Sequence, residues 1–293
     1  MYNLVMSCSV FVMTAFHAPA VFHAPDGTRL AHRAAGDGEP LICLPGGPTD
    51  AGYLGDLGGL AGHRRMILLD PRGTGRSARP EEIASYRCDR QVGDVEALRV
   101  HLGLDRTDIL AHSGGANLAV RYAARHPRRV GRLVLVGPGL RALGVPVDGG
   151  MRRALALRRA GEPWFPAAFA ALEAVMAGSG GDWEAVAPFF CGRWDAEARR
   201  HHAAGRPDNA EAVAGFAADG AFDPAATRAA LAGFGSPVLL LAGEFDLNSP
   251  PAAVASGAEL FPRGACVVQP GAGHYPWIDD ADRFVATVAS FLG

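Results

Sequence analysis

The sequence of 293 residues contains no lysine, so arginine supplies all 28 of its basic residues. Without lysine the chain has no side-chain amine for Schiff-base catalysis and cannot build a phosphate-binding loop of the Walker type. A large excess of charge is also missing, because the formal net charge is only −2. We therefore expect neither nucleic acid nor a membrane surface among its partners.

Cysteine is scarce and unpaired. The five cysteines are scattered and form no C-x-x-C pair: they are Cys8, Cys43, Cys88, Cys191 and Cys266. This usage predicts reduced, mostly buried thiols and a cytoplasmic location. The sequence "RRHH" at 199–202 lacks metal-ligand spacing and is interpreted as a polar helix face, so neither a metal nor a cofactor is expected.

A long hydrophobic run is also missing. The N-terminal stretch "MYNLVMSCSVFVMTAF" is only mildly apolar, and it has neither a basic n-region nor a cleavage site. It is too short and too interrupted to span a bilayer, and without those two features a signal peptide is not expected. We interpret residues 1–19 as a disordered leader, or as the product of a start codon assigned too early, with Met13 as the true start.

What the chain does contain is a series of short apolar runs that end in glycine, proline or aspartate. They lie at 40–48, 65–73, 108–115, 132–139, 237–246 and 265–274. Continuous apolar runs of this length are typical of parallel strands that are buried on both faces. Helical patterns separate several of them, at 88–103, 116–127 and 281–292. This alternation predicts an α/β fold with a mostly parallel sheet flanked by helices.

The alternation stops between residues 141 and 234, where the sequence is helical and no strong strand pattern occurs. Because this region interrupts the sheet pattern between two strands, we interpret it as an inserted helical cap. The predicted core then comprises residues 20–140 and 235–293, with the cap at 141–234.

One serine stands in an unusual setting, in "ILAHSGGANLAV" at 109–120. Ser113 directly follows a predicted strand and precedes a helix, among small residues that permit a tight turn. The motif around it, "AHSGG", is a nucleophile elbow, G-x-S-x-G, with alanine in place of the first glycine. The alternative is a serine that only caps the following helix.

A nucleophilic serine needs a base and an orienting acid, which on this type of sheet follow in the order Ser, acid, His. Asp246 follows the strand in "LLLAGEFDLNSP", and His274 ends the glycine-rich loop after "CVVQP". We therefore predict Ser113, Asp246 and His274 as the catalytic residues, with Glu244 as the rival acid. A turn aspartate and a surface histidine are the structural alternatives.

Stabilisation of an oxyanion requires backbone donors that a substrate can approach closely. The glycines of "LPGGP" at 44–48 and the residue after Ser113 meet this need. Gly47 and Gly114 are the preferred pair and Gly46 is the alternative, unless the segment is a plain glycine turn.

Taken together, these motifs resemble the α/β-hydrolase superfamily and, within it, the proline iminopeptidase-like group, from about residue 20 to the end. "LPGGP" resembles the HGGPG segment of that group, with Pro45 where histidine is usual. "DPRGTGRS" at 70–77 is similar to its D-Q-R-G-x-G-x-S segment. "AHSGGA" departs from the usual G-G-S-W-G elbow, because Gly114 replaces a bulky residue and widens the pocket.

The resemblance implies a cofactor-free serine hydrolase of small acyl substrates, in the first place an aminopeptidase. Peptidases of the group hold the free amine of the substrate with acidic cap residues, and "GRWDAEARRH" at 192–201 is similar to that segment, with Asp195 replacing glutamate. Glu197 and Glu211 are substitutes, unless all three are simply solvated. The alternatives are an esterase or lactonase of a small metabolite and a non-hydrolytic binding module. The sequence makes no prediction about the oligomeric state.

Overall fold

The computed structural model describes residues 16–180, 182–205 and 207–293. Most of the predicted leader, together with Met13 and Cys8, therefore lies outside the described residues. At the start of the described part, Phe16 forms an isolated antiparallel bridge with Ala35.

Eight strands form one sheet in the order β1-β2-β4-β3-β5-β6-β7-β8. Their bounds are Ala20–His23 (β1), Arg29–Ala35 (β2), Pro40–Leu44 (β3), Arg65–Asp70 (β4), Thr107–His112 (β5), Val130–Val136 (β6), Val238–Gly243 (β7) and Gly264–Gln269 (β8). The strands from β4 to β8 pair in parallel, whereas β2 is antiparallel to both β1 and β4. The mostly parallel α/β sheet predicted from the apolar runs is confirmed.

Two edges of the sheet depart from the prediction. Strands β1 and β2 have no continuous apolar run, because an antiparallel edge needs only one covered face. At the other edge, β8 was expected to be buried on both faces, and this is wrong. It pairs only with β7, and Val268 is 42% exposed.

In the part of the chain that the structure describes, eleven α-helices accompany the sheet. Their bounds are Cys88–His101 (α1), Gly115–Arg125 (α2), Gly149–Leu157 (α3), Phe165–Met176 (α4), Trp183–Val186 (α5), Ala196–Ala204 (α6), Ala210–Phe216 (α7), Pro224–Leu231 (α8), Pro251–Ala258 (α9), Pro276–Asp279 (α10) and Ala281–Leu292 (α11). The three helices predicted from periodicity correspond to α1, α2 and α11.

The core has one hydrophobic cluster on each face of the sheet, because successive side chains of a strand point to opposite faces. In β5, Ile109 belongs to the cluster that contains α1 and α2 residues, whereas Leu110 belongs to the cluster that contains α11 residues. The sheet thus lies between two layers of helices. Loops follow the strands at its carboxyl edge.

Between β6 and β7 the chain forms α3 to α8, and no strand occurs among the described residues of this segment. The segment has a small hydrophobic cluster of its own, centred on Phe189 and Leu172. Leu247, from the loop after β7, joins that cluster and links the helical segment to the edge of the sheet where strands end.

The cysteines in the described part are free thiols, as predicted. Cys43, Cys88 and Cys191 are buried and Cys266 is half-buried. Burial raises the pKa of Cys43 and of Cys88 to about 12, so these thiols stay protonated. Among the described helices, none combines the length and the apolar character that crossing a membrane requires.

Candidate active site

Ser113 occupies a strained turn between β5 and α2. Its φ is +51°, a left-handed conformation that costs energy for any residue with a Cβ. The turn is packed against the loop after β3: a Cβ on Gly115 would lie 2.3 Å from the Pro45 carbonyl oxygen, and one on Gly114 would lie 2.8 Å from the Gly47 carbonyl oxygen. The small residues after the serine are therefore required by the close approach of two loops.

Ser113, His274 and Asp246 form one hydrogen-bonded series. His274 Nε2 lies 2.9 Å from Ser113 Oγ, and His274 Nδ1 lies 2.8 Å from Asp246 Oδ2. The carboxylate can only accept, so Nδ1 carries the proton and Nε2 is free to accept one from the serine. All three side chains come from loops at the carboxyl edge of the sheet, after β5, β7 and β8.

Asp246 is fixed by its own loop. The carboxylate is fully buried, and its Oδ1 accepts hydrogen bonds from the backbone N–H groups of Asn248 and Ser249, at 2.8 and 3.1 Å. With Oδ1 held in this way, Oδ2 points at the imidazole of His274.

The rival acid, Glu244, is directed elsewhere. One oxygen accepts from the Gly271 N–H at 2.8 Å, and the other pairs with Arg158. Glu244 therefore forms no hydrogen bond with His274, and of the two candidate acids only Asp246 does.

The candidate oxyanion donors lie beside the serine. Gly46, the alternative donor predicted from the sequence, already donates its N–H to the Tyr53 hydroxyl at 2.7 Å. The N–H groups of Gly47 and Gly114 make no hydrogen bond with any described residue. Gly47 has a φ of +108°, which a side chain would strain, so the turn that exposes its N–H depends on glycine.

A buried aromatic network that the sequence did not reveal supports these loops. Tyr53 accepts from Gly46 and lies 2.6 Å from Nδ1 of His112, the residue before the serine. His112 Nε2 donates to the carbonyl oxygen of His274 at 2.9 Å. Burial lowers the pKa of His112 well below its usual value, so its ring stays neutral and links the three loops of the site.

Two cavities meet at Ser113. The smaller, of about 260 Å³, is lined by His274 and by the aromatic side chains of Tyr53, Phe190 and Tyr275. The larger cavity, of about 380 Å³, extends past Gly114. It is lined by residues from the segment that follows β6 and from nearby helices. Gly47, Ser113 and Asn248 line both cavities.

The acidic residues predicted to bind an amine lie outside both cavities. Asp195 caps α6, accepting from the Ala198 N–H at 2.9 Å, and pairs with Arg193 at 2.8 Å. Glu197 pairs with the same arginine at 2.6 Å. Glu211, 3.7 Å from Arg79, has a side chain that is 55% exposed. None of the three carboxylates lines the space beside Ser113.

The "RRHH" stretch is only half a polar face. Arg199 and Arg200 are exposed, but the two histidines are half-buried. His201 packs edge-on against Tyr275, with ring centres 4.7 Å apart, and His202 stacks on Phe190 and lines the smaller cavity. The predicted polar face is therefore formed by the two arginines, whereas the two histidines lie on the side of α6 that packs against Tyr275 and Phe190.

Comparison with known proteins assigns the family. A model of the alpha/beta hydrolase fold matches residues 39–281 of the chain. The chain therefore belongs to the α/β-hydrolase family, as its motifs predicted, and its relatives support a hydrolase.

Individual relatives agree with this assignment over different lengths. An N-formylmaleamate deformylase from Pseudomonas putida is 32% identical over 269 residues, which is 89% of this chain and 91% of the relative. A proline iminopeptidase from Heyndrickxia coagulans is 40% identical over 108 residues, but the match spans only 36% of this chain and 38% of that protein.

The fold also matches a solved structure. The crystal structure of a proline iminopeptidase from Mycobacterium smegmatis superposes with a TM-score of 0.71 and 22% identity, covering 93% of this chain and 97% of that one. At this level of identity the likeness concerns the fold alone.

Proposed function

We propose that the chain is a serine hydrolase of small carboxylic esters or amides, with Ser113 as nucleophile, His274 as base and then acid, and Asp246 as the orienting residue. The observation that carries the proposal is the unbroken series of hydrogen bonds of 2.9 and 2.8 Å from Ser113 through His274 to Asp246. The left-handed backbone at Ser113 adds support, since strain of this kind is concentrated at functional sites.

In the first half of the reaction, Ser113 Oγ attacks the carbonyl carbon while its proton passes to His274 Nε2. The carbonyl oxygen gains a negative charge and accepts hydrogen bonds from the N–H groups of Gly47 and Gly114. When the bond to the leaving group breaks, His274 gives its proton to the departing oxygen or nitrogen. The product of this step is an ester of Ser113.

In the second half, water attacks the acyl carbon and gives a proton to His274, which returns it to Ser113 Oγ as the serine ester breaks. A free carboxylic acid leaves and the resting state is restored. Asp246 stays ionised throughout and stabilises the imidazolium that forms twice per turnover.

We further propose that the helical segment 141–234 acts as a cap over this reaction. Its residues Phe190, His202 and Gly205 line the smaller cavity together with Ser113 and His274, so a substrate bound there lies between the sheet edge and the helices. Cavities of about 260 and 380 Å³ suit a small molecule.

Small esters or amides fit the site better than a peptide amine does. A protonated amine that loses water needs a paired carboxylate, and Asp195, Glu197 and Glu211 pair with arginines outside the cavities. The relative that aligns over nearly the whole chain is named for a deformylase reaction and not for a peptidase. This favours the esterase side of the sequence prediction, extended to small amides.

Substitution of Ser113 tests the proposal. We expect Ser113→Ala to lower kcat on a 4-nitrophenyl ester by up to about 10⁶-fold, because a nucleophile has no substitute in this mechanism. Ser256→Ala is the matched control, since its hydroxyl is exposed and bonds only to the Ala252 carbonyl. A fluorophosphonate should label the wild type and the control but not Ser113→Ala.

Retention of more than about a tenth of wild-type activity by Ser113→Ala would remove this residue from the mechanism. Failure of the wild type to react with the fluorophosphonate or with any ester or amide would instead favour the binding-module alternative.

Aminopeptidase activity remains the second candidate, because part of the chain is 40% identical to a proline iminopeptidase. It requires a cap carboxylate, for which Asp195 is the candidate by resemblance. Asp195→Asn removes the charge but keeps the helix cap, since asparagine caps as well as aspartate.

For an aminopeptidase, Asp195→Asn should lower kcat/KM on aminoacyl-naphthylamides by roughly ten- to a hundred-fold and leave a neutral ester unaffected. The esterase proposal expects an equal, small effect on both substrates. Glu259→Gln is the control for loss of a surface charge, because Glu259 is exposed and lines neither cavity.

A further inference from the structure

The larger cavity beside Ser113 contains two arginines that the proposed mechanism does not use, Arg141 and Arg152. We infer that these arginines form a subsite for a carboxylate on the acyl part of the substrate, so that the enzyme acts on half-esters or half-amides of dicarboxylic acids. The inference rests on the proposed function and names its substrate class.

The charges of both arginines are uncompensated within the protein. Neither forms an ion pair with a described carboxylate, whereas the next residue along α3, Arg153, pairs with Glu173 at 3.1 Å. Among the described residues, the Arg152 side chain donates a single hydrogen bond, to the Val147 carbonyl oxygen at 3.0 Å, and the Arg141 side chain donates none. Most of their N–H groups are therefore available to a ligand.

The surroundings of the two guanidinium groups also favour the binding of an anion. No aspartate or glutamate lines the cavity, and part of its wall is apolar, formed by Leu140, Val145, Val147, Phe216 and Phe222. Arg152 is half-buried, whereas Arg141 is exposed at the rim. A partly buried cation attracts an anion more strongly than one in open water, and guanidinium binds a carboxylate with two parallel hydrogen bonds. A dicarboxylic chain supplies an apolar stem for the walls and an anion for the arginines.

The position of His274 indicates which part of the substrate enters this cavity. The leaving group must receive a proton from His274, and His274 lines the smaller cavity but not the larger. The leaving group is thus assigned to the smaller cavity. The acyl chain extends from Ser113 past Gly114 into the larger one, toward Arg141 and Arg152.

A pair of matched substrates tests the subsite. Mono-4-nitrophenyl adipate carries an acyl carboxylate, and its methyl ester is neutral and larger by only one methyl group. After subtraction of the uncatalysed rate, we expect the wild type to prefer the half-ester by at least about ten-fold in kcat/KM, the scale of one charged contact.

Variants then show whether the preference depends on the two arginines. In Arg141→Gln/Arg152→Gln we expect the ratio of kcat/KM for half-ester to methyl ester to fall by at least about ten-fold, mainly through KM. Arg152→Lys should restore part of the ratio, because it returns the charge. Arg153→Gln, the matched loss of one arginine on α3, should leave the ratio unchanged.

A binding measurement separates failure of the subsite from failure of the proposed chemistry. Adipate should bind to Ser113→Ala in calorimetry, and the affinity should fall at least ten-fold when the two arginines are also replaced. This result would support the subsite even if no ester were hydrolysed.

Three results would overturn the inference. In the first, the wild type shows no preference for the half-ester and does not bind adipate. In the second, the preference survives in Arg141→Gln/Arg152→Gln. In the third, a preference appears only when the anion is on the leaving group. The last is measured with butyryl esters of hydroxybenzoate and of its methyl ester.

Discussion

At the scale of single residues, the positions of the candidate catalytic side chains depend on hydrogen bonds made by their neighbours. His112 occupies the variable position before the serine, yet its ring connects Tyr53 with the His274 backbone through hydrogen bonds of 2.6 and 2.9 Å. Removing any member would leave buried polar groups without partners, at a cost of about 1–3 kcal/mol each. The precision of the loops therefore depends on residues outside the proposed Ser113–His274–Asp246 series.

Gly137 is a position where the packing around Asp246 and His274 requires glycine. Its φ is +48°, and a Cβ there would lie 3.0 Å from both Asp246 Oδ2 and His274 Nδ1. We expect Gly137→Ala to displace the imidazole and to lower kcat at least about ten-fold, since small misplacements of reacting groups are costly.

Activity on a 4-nitrophenyl ester and the melting temperature together check this expectation. Gly161→Ala is the control, because a Cβ there meets nothing within 4 Å. Unchanged kcat in a folded Gly137→Ala protein would show that the pair of side chains tolerates the added methyl group.

At the scale of elements, the sequence was most informative where burial is most complete. Strands β3 to β7 are continuous apolar runs and were predicted, as were the loops after β5, β7 and β8 that bear Ser113, Asp246 and His274. These three side chains lie close together because the parallel strands that precede them all end at the same edge of the sheet. Their catalytic role stays a prediction.

What the sequence could not supply comes from long-range packing. Tyr53, Arg152 and His202 lie in loops or helices whose local patterns are ordinary, and only the folded chain brings them beside Ser113. The acidic residues of the helical segment 141–234 show the reverse. A local similarity suggested amine binding, but Asp195 bonds instead to the backbone of α6 and to Arg193.

One buried ion pair joins elements that are distant in sequence. Arg64, just before β4, lies 2.6 Å from Asp108 in β5 and donates at 3.1 Å to the Leu292 carbonyl at the end of α11. We expect Arg64→Met to lower the free energy of unfolding by about 1–3 kcal/mol, because the buried Asp108 carboxylate loses its nearest cation and keeps, among the described cations, only Arg132, whose backbone N–H donates to it at 2.7 Å and whose guanidinium lies 3.7 Å away.

Urea denaturation measures this change. Arg90→Met is the matched control, since Arg90 is largely exposed and lies 3.9 Å from Asp89. Equal stability of the two variants would mean that water or a shifted arginine compensates Asp108. The activity of the folded protein should persist, because Arg64 lies away from the carboxyl edge.

On the scale of the whole molecule, buried histidines couple folding to pH. His32 in β2 is 7% exposed, neither ring nitrogen has a hydrogen-bond partner among the described residues, and His101 packs against it. Burial lowers the pKa of His32 to about 4, with a smaller contribution from His101. The pKa values of Asp26 and Glu96 are lowered to about 2, so these carboxylates act on stability at lower pH.

The unfolded chain binds a proton at His32 near its ordinary pKa of 6.5, whereas the folded chain does so only near 4. Acidification from about 6.5 to 4 therefore favours unfolding, by up to about 3 kcal/mol for this residue. We expect His32→Phe to retain more of its pH 7 stability at pH 4.5 than the wild type does, because phenylalanine has no proton to bind. Urea unfolding at both pH values measures the difference. The exposed His63, replaced in the same way, is the control. An identical loss of stability in His32→Phe and the wild type would show that His32 is protonated equally in both states.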